Sequence, residues 1–170
     1  MKLKSLEDLL VKELRDLYSA EKQIIKALPK MEAAAHSTAL QTALKEHLEV
    51  TERQVSRLEE IFGMLSVTSR GPKCAAMEGL LKEGAELLEE DAEPSVLDAG
   101  IIGAAQRVEH YEMAGYGVAR TFARLLGHDK IADLLQKTLD EEGEADKTLT
   151  ELAESEINAA AAVGHHDGRE

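Results

Sequence analysis

The sequence is poor in residues that cross-link, kink or anchor a chain. Its 170 residues include one cysteine, three prolines, three tyrosines, two phenylalanines and no tryptophan. The single cysteine, Cys74, excludes an internal disulfide framework and favours a reducing compartment. No segment approaches the roughly 18 apolar residues of a membrane span, and the N-terminal segment turns acidic before a signal-type apolar run develops. We therefore expect a cytoplasmic protein with no membrane partner.

Positive charge is also scarce. The chain has 20 Lys and Arg residues against 33 Asp and Glu residues, which gives a formal net charge of −13. Nucleic acids and anionic membranes bind basic surfaces, so this balance argues against both as main partners. The residues that do abound are Ala, Leu, Glu and Lys, which favour helices. Composition and length together predict one all-α domain.

Apolar residues at three- and four-residue steps predict four long helices, A to D, at about 5–29, 37–65, 95–126 and 130–160. Pro29 either bends helix A or ends it, although the MEAAA stretch that follows is helix-prone and could extend the helix. A short amphipathic helix is predicted between B and C, at about 74–90. This pattern predicts a ferritin-like four-helix bundle with one long B–C crossover that contains the short additional helix. We assign residues 1–162 to the bundle and 163–170 to a flexible C-terminal tail.

Three glutamates, Glu21, Glu112 and Glu142, lie at the centres of apolar helical stripes. The residues seven positions before and after each of them are leucine or alanine. No Lys or Arg lies within about 60° of these centres on a helical wheel. Burying an ionised carboxylate costs several kcal/mol unless a positive charge meets it. Three such residues predict a cation from outside the chain, and a metal ion is the simplest.

A 30-residue spacing links these glutamates into one site. Thr51, at the centre of the stripe of helix B, follows Glu21 by 30 residues, and Glu142 follows Glu112 by the same interval. The A–B and C–D hairpins are therefore expected to be pseudo-equivalent halves that bring all four centres to one level.

Further candidate ligands lie about one turn from these centres. Glu109 precedes Glu112 by three residues, His47 is the only histidine on an inner face, and Asp146 follows Glu142 by one turn. His47 is expected either to bind metal or to hydrogen-bond to a ligand. Carboxylates with one imidazole suit Fe, Mn or Zn, and several carboxylates can bridge two ions. The predicted metal-binding residues are Glu21, Glu109, Glu112, Glu142, His47, Glu52 and Asp146, with Glu52 at the edge of the site.

Other acidic residues, histidines and tyrosines are expected to have structural roles and not to bind metal. Tyr18 and Tyr116 lie within a turn of the site and are expected to hydrogen-bond carboxylates or to pack. The residues expected at the surface or in the flexible tail are Glu49, Glu141, Glu144, His110, His165 and His166.

The runs DLYSAEKQIIKALPKM, KCAAMEGLLKE, AAQRVEHYEMAGYG and KTLDEEGEADKTLTELA resemble the YciF-type ferritin-like proteins, a bacterial family associated with stress responses. The resemblance extends from about Leu6 to Ala153. It implies a rubrerythrin-like helical bundle, dimeric, with a di-metal site whose glutamates correspond to Glu21, Glu109, Glu112 and Glu142. The sequence departs from the ferritin-like pattern at His47 and Thr51, where an inward Glu-x-x-His is usual, and at Ala145, where a histidine is usual. One or two bound ions are both compatible with these departures.

Two functions follow from these residues and the resemblance. The first is a metal-binding protein that holds one or two iron ions, or Mn or Zn, and acts in a stress or oxidant response. The second is a non-catalytic structural or interaction dimer with a vestigial or metal-free site, in which the buried acids are protonated or hydrogen-bonded to one another. Any catalysis would be of the oxidoreductase type at a di-metal carboxylate site, and both functions imply a homodimer.

Overall fold

The computed structural model describes residues 3–163, and all regular secondary structure within that range is helical. The helices are α1 (Leu6–Ala34), α2 (Thr38–Met64), α3 (Ala75–Leu87), α4 (Pro94–Leu125), α5 (Asp129–Leu152) and α6 (Asn158–Val163). A π-helical segment, Ala153–Ile157, joins α5 to α6 without a break. The all-α prediction is confirmed, whereas the predicted tail lies outside the described residues except for Val163. No described helix is both long enough and apolar enough to cross a membrane.

The ends of the helices follow local side-chain chemistry. The Ser5 hydroxyl accepts a hydrogen bond from the Asp8 amide at 3.1 Å, which caps the start of α1. Pro29 does not end this helix, because α1 continues to Ala34. The turn between α1 and α2 is held by Asp98 of α4, whose carboxylate accepts from the amides of His36 and Ser37 at 2.8 and 2.7 Å. These bonds tie α4 to the first hairpin.

Each of the four long helices, α1, α2, α4 and α5, contacts two of the others. Helix α1 contacts α2 and α4, α5 contacts α2 and α4, and the crossover helix α3 lies against α4 and α1. Two apolar clusters fill the interior. One contains Ile24, Leu44 and Ile101, and the other contains Leu14 and Tyr116. On each long helix a polar residue is buried between the two clusters: Glu21, Thr51, Glu112 and Glu142.

Candidate metal centre

Helical register brings side chains of α2, α4 and α5 together in the interior. One potential ligand atom each from His47, Glu109, Glu112 and Glu142 lies within 4.8 Å of those of the other three. These four residues are called the carboxylate–histidine cluster below. The three glutamates are at most 2% exposed, and the His47 side chain is 10% exposed. Glu109 and Glu112 occupy successive turns of α4, so both can project from the same face. The cluster therefore presents three carboxylates and one imidazole to a common space.

Glu21 of α1 borders the cluster. It is fully buried, and the Tyr116 hydroxyl donates a hydrogen bond to its Oε1 atom. Its carboxyl group is a neighbour of the Glu112 carboxyl group, and each raises or modulates the pKa of the other. The expectation that Tyr116 hydrogen-bonds a site carboxylate is thus confirmed. Tyr18 also donates to a carboxylate, that of Glu59 at 2.8 Å, and packs against Phe62, but Glu59 is not a member of the cluster.

Several buried side-chain atoms at this site have no hydrogen-bond partner among the described residues. They are Glu21 Oε2, His47 Nε2, Gln54 Oε1, Glu109 Oε2, Glu112 Oε1 and Glu142 Oε2. His47 Nε2 lies 3.1 Å from Glu109 Oε1 without the angles of a hydrogen bond. Buried polar atoms nearly always have partners, so unpartnered acceptors on neighbouring side chains need an explanation. Oxygen and imidazole donors of this kind fit Fe, Mn or Zn.

Burial raises the pKa of all four interior glutamates. The pKa of Glu21 rises to about 8 and that of Glu109 to about 7, in both cases mainly through loss of solvation. Loss of solvation is also the main reason that the pKa values of Glu112 and Glu142 lie well above their ordinary range. Repulsion between neighbouring carboxylates adds to each shift. Without a cation, this site therefore retains protons near neutral pH, and a bound cation would displace them.

Two residues that the sequence reasoning missed form one edge of the site. Gln54 donates to Glu142 Oε1 and, at 3.3 Å, to Glu141 Oε2. Arg57 is almost buried and donates to both carboxylate oxygens of Glu141, at 2.8 and 3.0 Å. Glu141 was expected at the surface, but this ion pair holds it in a partly buried position. Gln54 could have been found by counting one turn from Thr51. No local pattern marks Arg57, because its partner is on another helix.

The structure does not bring the other two predicted ligands, Glu52 and Asp146, into the cluster. Glu52 is exposed on α2, in keeping with its position at the edge of the stripe. Asp146 Oδ1 accepts from Gln106 Nε2 at 3.1 Å and lies 3.2 Å from His110 Nε2, whose side chain is largely exposed. Asp146 of α5 therefore contacts Gln106 and His110 of α4, outside the cluster. Two histidines of the predicted tail lie outside the described residues: His165 and His166.

Comparisons with known proteins agree over nearly the whole chain. A family model described as a domain of unknown function (DUF892) matches residues 5–162. Protein YciF of Escherichia coli (strain K12) is 43% identical over 162 residues, which cover 95% of this chain and 98% of that protein. The crystal structure of the E. coli stress protein YciF has a TM-score of 0.89 at 42% identity, covering 92% of this chain and 99% of the other. A structure of YcfI from Rhodopseudomonas palustris, provisionally described as a structural protein, has a TM-score of 0.85 at 45% identity, with coverages of 88% and 95%.

Proposed function

Since the chain belongs to the DUF892 family and is similar to E. coli YciF, we propose that it is a metal-binding, ferritin-like protein. In this proposal α1, α2, α4 and α5 form a four-helix bundle, and the long crossover contains α3. The bundle holds one or two iron ions, with Mn or Zn as alternatives, and acts in a stress or oxidant response. The protein works as a cytoplasmic homodimer without nucleic-acid or membrane partners.

The carboxylate–histidine cluster is the observation that supports this proposal. Three carboxylates share one interior space, and each keeps an oxygen atom without a hydrogen-bond partner among the described residues. Placing that much negative charge in a low-dielectric interior is strongly unfavourable unless protons or cations neutralise it. A divalent cation neutralises two negative charges at once and binds the free lone pairs of several carboxylates. A proton neutralises one carboxylate and leaves most of these lone pairs without a partner.

Each residue of the site would have a distinct role toward the ion. His47, Glu109, Glu112 and Glu142 would hold it, and Glu21 would extend the site toward a second position beside Glu112. Bound iron would supply one-electron redox chemistry, whereas zinc would supply only Lewis acidity.

Neighbouring polar residues orient these carboxylates. The Tyr116 hydroxyl positions Glu21, and Gln54 positions Glu142. At this edge of the site, the guanidinium of Arg57 forms an ion pair with Glu141. Its positive charge is therefore not paired with an interior glutamate. The interior glutamates therefore remain available for a cation. Any reaction at this site would be of the oxidoreductase type.

Metal analysis tests the proposal directly. The wild-type protein, loaded with iron and freed of loosely bound ions, should retain one or two ions per chain. Removing two ligands in Glu112→Ala/Glu142→Ala should reduce this to background, while circular dichroism shows that the helices persist. A matched control, Glu49→Ala/Glu154→Ala, removes two exposed glutamates from α2 and the π-helical segment and should retain the metal. Equal metal content in both variants, or negligible metal in the wild type, would refute metal binding at this site.

One observation favours a second function. The raised pKa values of the interior glutamates would let neighbouring carboxyl groups keep protons and share them by hydrogen bonding without any metal. The provisional description of YcfI as a structural protein fits such a metal-free dimer. A structural dimer should keep its melting temperature in the presence of a chelator, whereas a metal-dependent bundle should lose stability.

A further inference from the structure

A cavity of about 260 Å³ between α2 and α5 extends to the carboxylate–histidine cluster. Most of its wall is apolar and comes from α1, α2, α4 and α5, with Leu28, Leu44 and Leu149 among the lining residues. His47 and Glu109 also form part of this wall. Two members of the cluster are therefore reached from the cavity.

The two cluster members that line the cavity are both nine-tenths buried or more, and both have unpartnered atoms. The side chain of Glu109 is 3% exposed and that of His47 is 10% exposed. Glu109 Oε2 and His47 Nε2 have no hydrogen-bond partner among the described residues. Glu142, by contrast, is fully buried and does not line the cavity. The side of the cluster nearest to solvent is therefore the one formed by His47 and Glu109.

The charges along the cavity are of one sign. Its lining residues include four glutamates and neither Lys nor Arg. Glu46 and Glu144 are exposed, so they mark its outer end, and Glu109 lies at its inner end. Glu141 is neutralised by Arg57. Carboxylates around an apolar opening raise the local concentration of cations and accelerate their arrival.

We propose that this cavity is the access route by which a hydrated divalent cation reaches the cluster, with His47 and Glu109 as its first interior ligands. The inference rests on the proposed function, since a route matters only if the cluster binds metal. Ala145 keeps the route open, because it is a small, partly buried residue on the cavity wall. A larger side chain at this position would narrow the passage without changing any member of the cluster.

Kinetics of Co²⁺ uptake by the metal-free, full-length protein test the route. Absorbance of the bound ion is followed after rapid mixing, and release is followed after adding excess chelator. In Ala145→Leu, uptake and release should both slow about tenfold, equivalent to about 1.4 kcal/mol in each barrier. The final stoichiometry and the dissociation constant should not change, because an obstructed path affects both directions equally. Ala33→Leu, on the exposed face of α1, is the matched control and should behave as wild type.

A second variant tests the charge at the opening without disturbing the core. Glu46→Gln/Glu144→Gln changes two exposed side chains, and uptake should slow about threefold at low ionic strength. The difference from wild type should shrink at high salt, because surface charges are screened. Glu49 is exposed on α2 and does not line the cavity, so Glu49→Gln should not alter the rate of Co²⁺ uptake.

The outcomes separate the route from the site. Wild-type uptake rates in both variants, with full stoichiometry, would overturn the route and leave the proposed function intact. Loss of stoichiometry in Ala145→Leu would also overturn it, because position 145 would then belong to the space that the bound ion occupies and not to a path leading to it. Failure of the wild type to bind Co²⁺ would refute the proposed function and the route together.

Discussion

Replacing Glu21 by glutamine should stabilise the metal-free protein, and the gain should increase with pH. Glutamine has nearly the shape of glutamate, keeps an oxygen to accept the Tyr116 hydrogen bond, and offers an amide to the neighbouring carboxyl of Glu112. It carries no charge at any pH, so it avoids the cost of ionising a fully buried group.

The magnitude follows from the pKa of Glu21, which the fold raises from 4.5 to about 8. Between these values the folded state binds more protons than the unfolded state, so the contribution of Glu21 to stability falls as pH rises. It is fully present below pH 4.5 and is lost as pH rises through about 8. The loss amounts to about 1 kcal/mol at pH 5 and about 4 kcal/mol at pH 8.

Urea denaturation in the presence of a chelator, followed by far-ultraviolet circular dichroism, measures this effect across the pH range. The free energy of unfolding should fall with pH in the wild type and fall less steeply in Glu21→Gln. Glu49→Gln, which removes an exposed charge, should follow the wild-type slope. A wild-type stability that rises from pH 5 to pH 8, or parallel slopes for Glu21→Gln and wild type, would refute the reasoning. In the metal-loaded protein the dependence should reverse, because the ligands must lose their protons to bind the ion.

Other substitutions probe the packing around the site. Arg57→Met should lower the free energy of unfolding by about 2 kcal/mol, because partly buried Glu141 loses its bidentate partner; an unchanged urea midpoint would contradict this. Gly115→Ala should destabilise by about 1 kcal/mol, since its Cβ atom would lie 2.7 Å from Leu17 Cδ2 in the core. In Gly117→Ala the added Cβ atom has no neighbour within 4 Å, so this variant should stabilise α4 by about 1 kcal/mol. Shifts of the melting temperature in the same direction for Gly115→Ala and Gly117→Ala would be evidence against this packing. Metal binding near pH 7 should release protons, which a pH indicator in weak buffer detects, and no release would contradict the raised pKa values.

Much of the helical structure could be predicted because a helix with one buried face has apolar residues at three- and four-residue steps along the sequence. The stripe centres at Glu21, Glu112 and Glu142 are buried, as the 100° rotation per residue requires. Pro29 shows the limit of local reasoning. Propensity leaves open whether α1 ends there, and the helix in fact continues, with Met31 buried in the core beyond it.

Relations between helices were less accessible to prediction. Asp146 shares the helix of Glu142 and lies one turn away, yet the structure gives it Gln106 and His110 as neighbours. The wheel angle of a residue specifies its direction relative to its own helix axis, but not which atoms of the next helix it meets. Arg57 was missed for the same reason, since its position is explained only by Glu141 on α5.

The sequence by itself determined that the protein is all-helical and that three carboxylates face inward, since both depend on spacing along a single helix. Only the tertiary structure decided that His47, Glu109, Glu112 and Glu142 form one cluster. It alone decided that Glu52 and Asp146 stay outside and that a cavity reaches the cluster between α2 and α5. These features depend on which helices are neighbours and how closely they pack, and burial acts on the assembled set of helices rather than on any one of them.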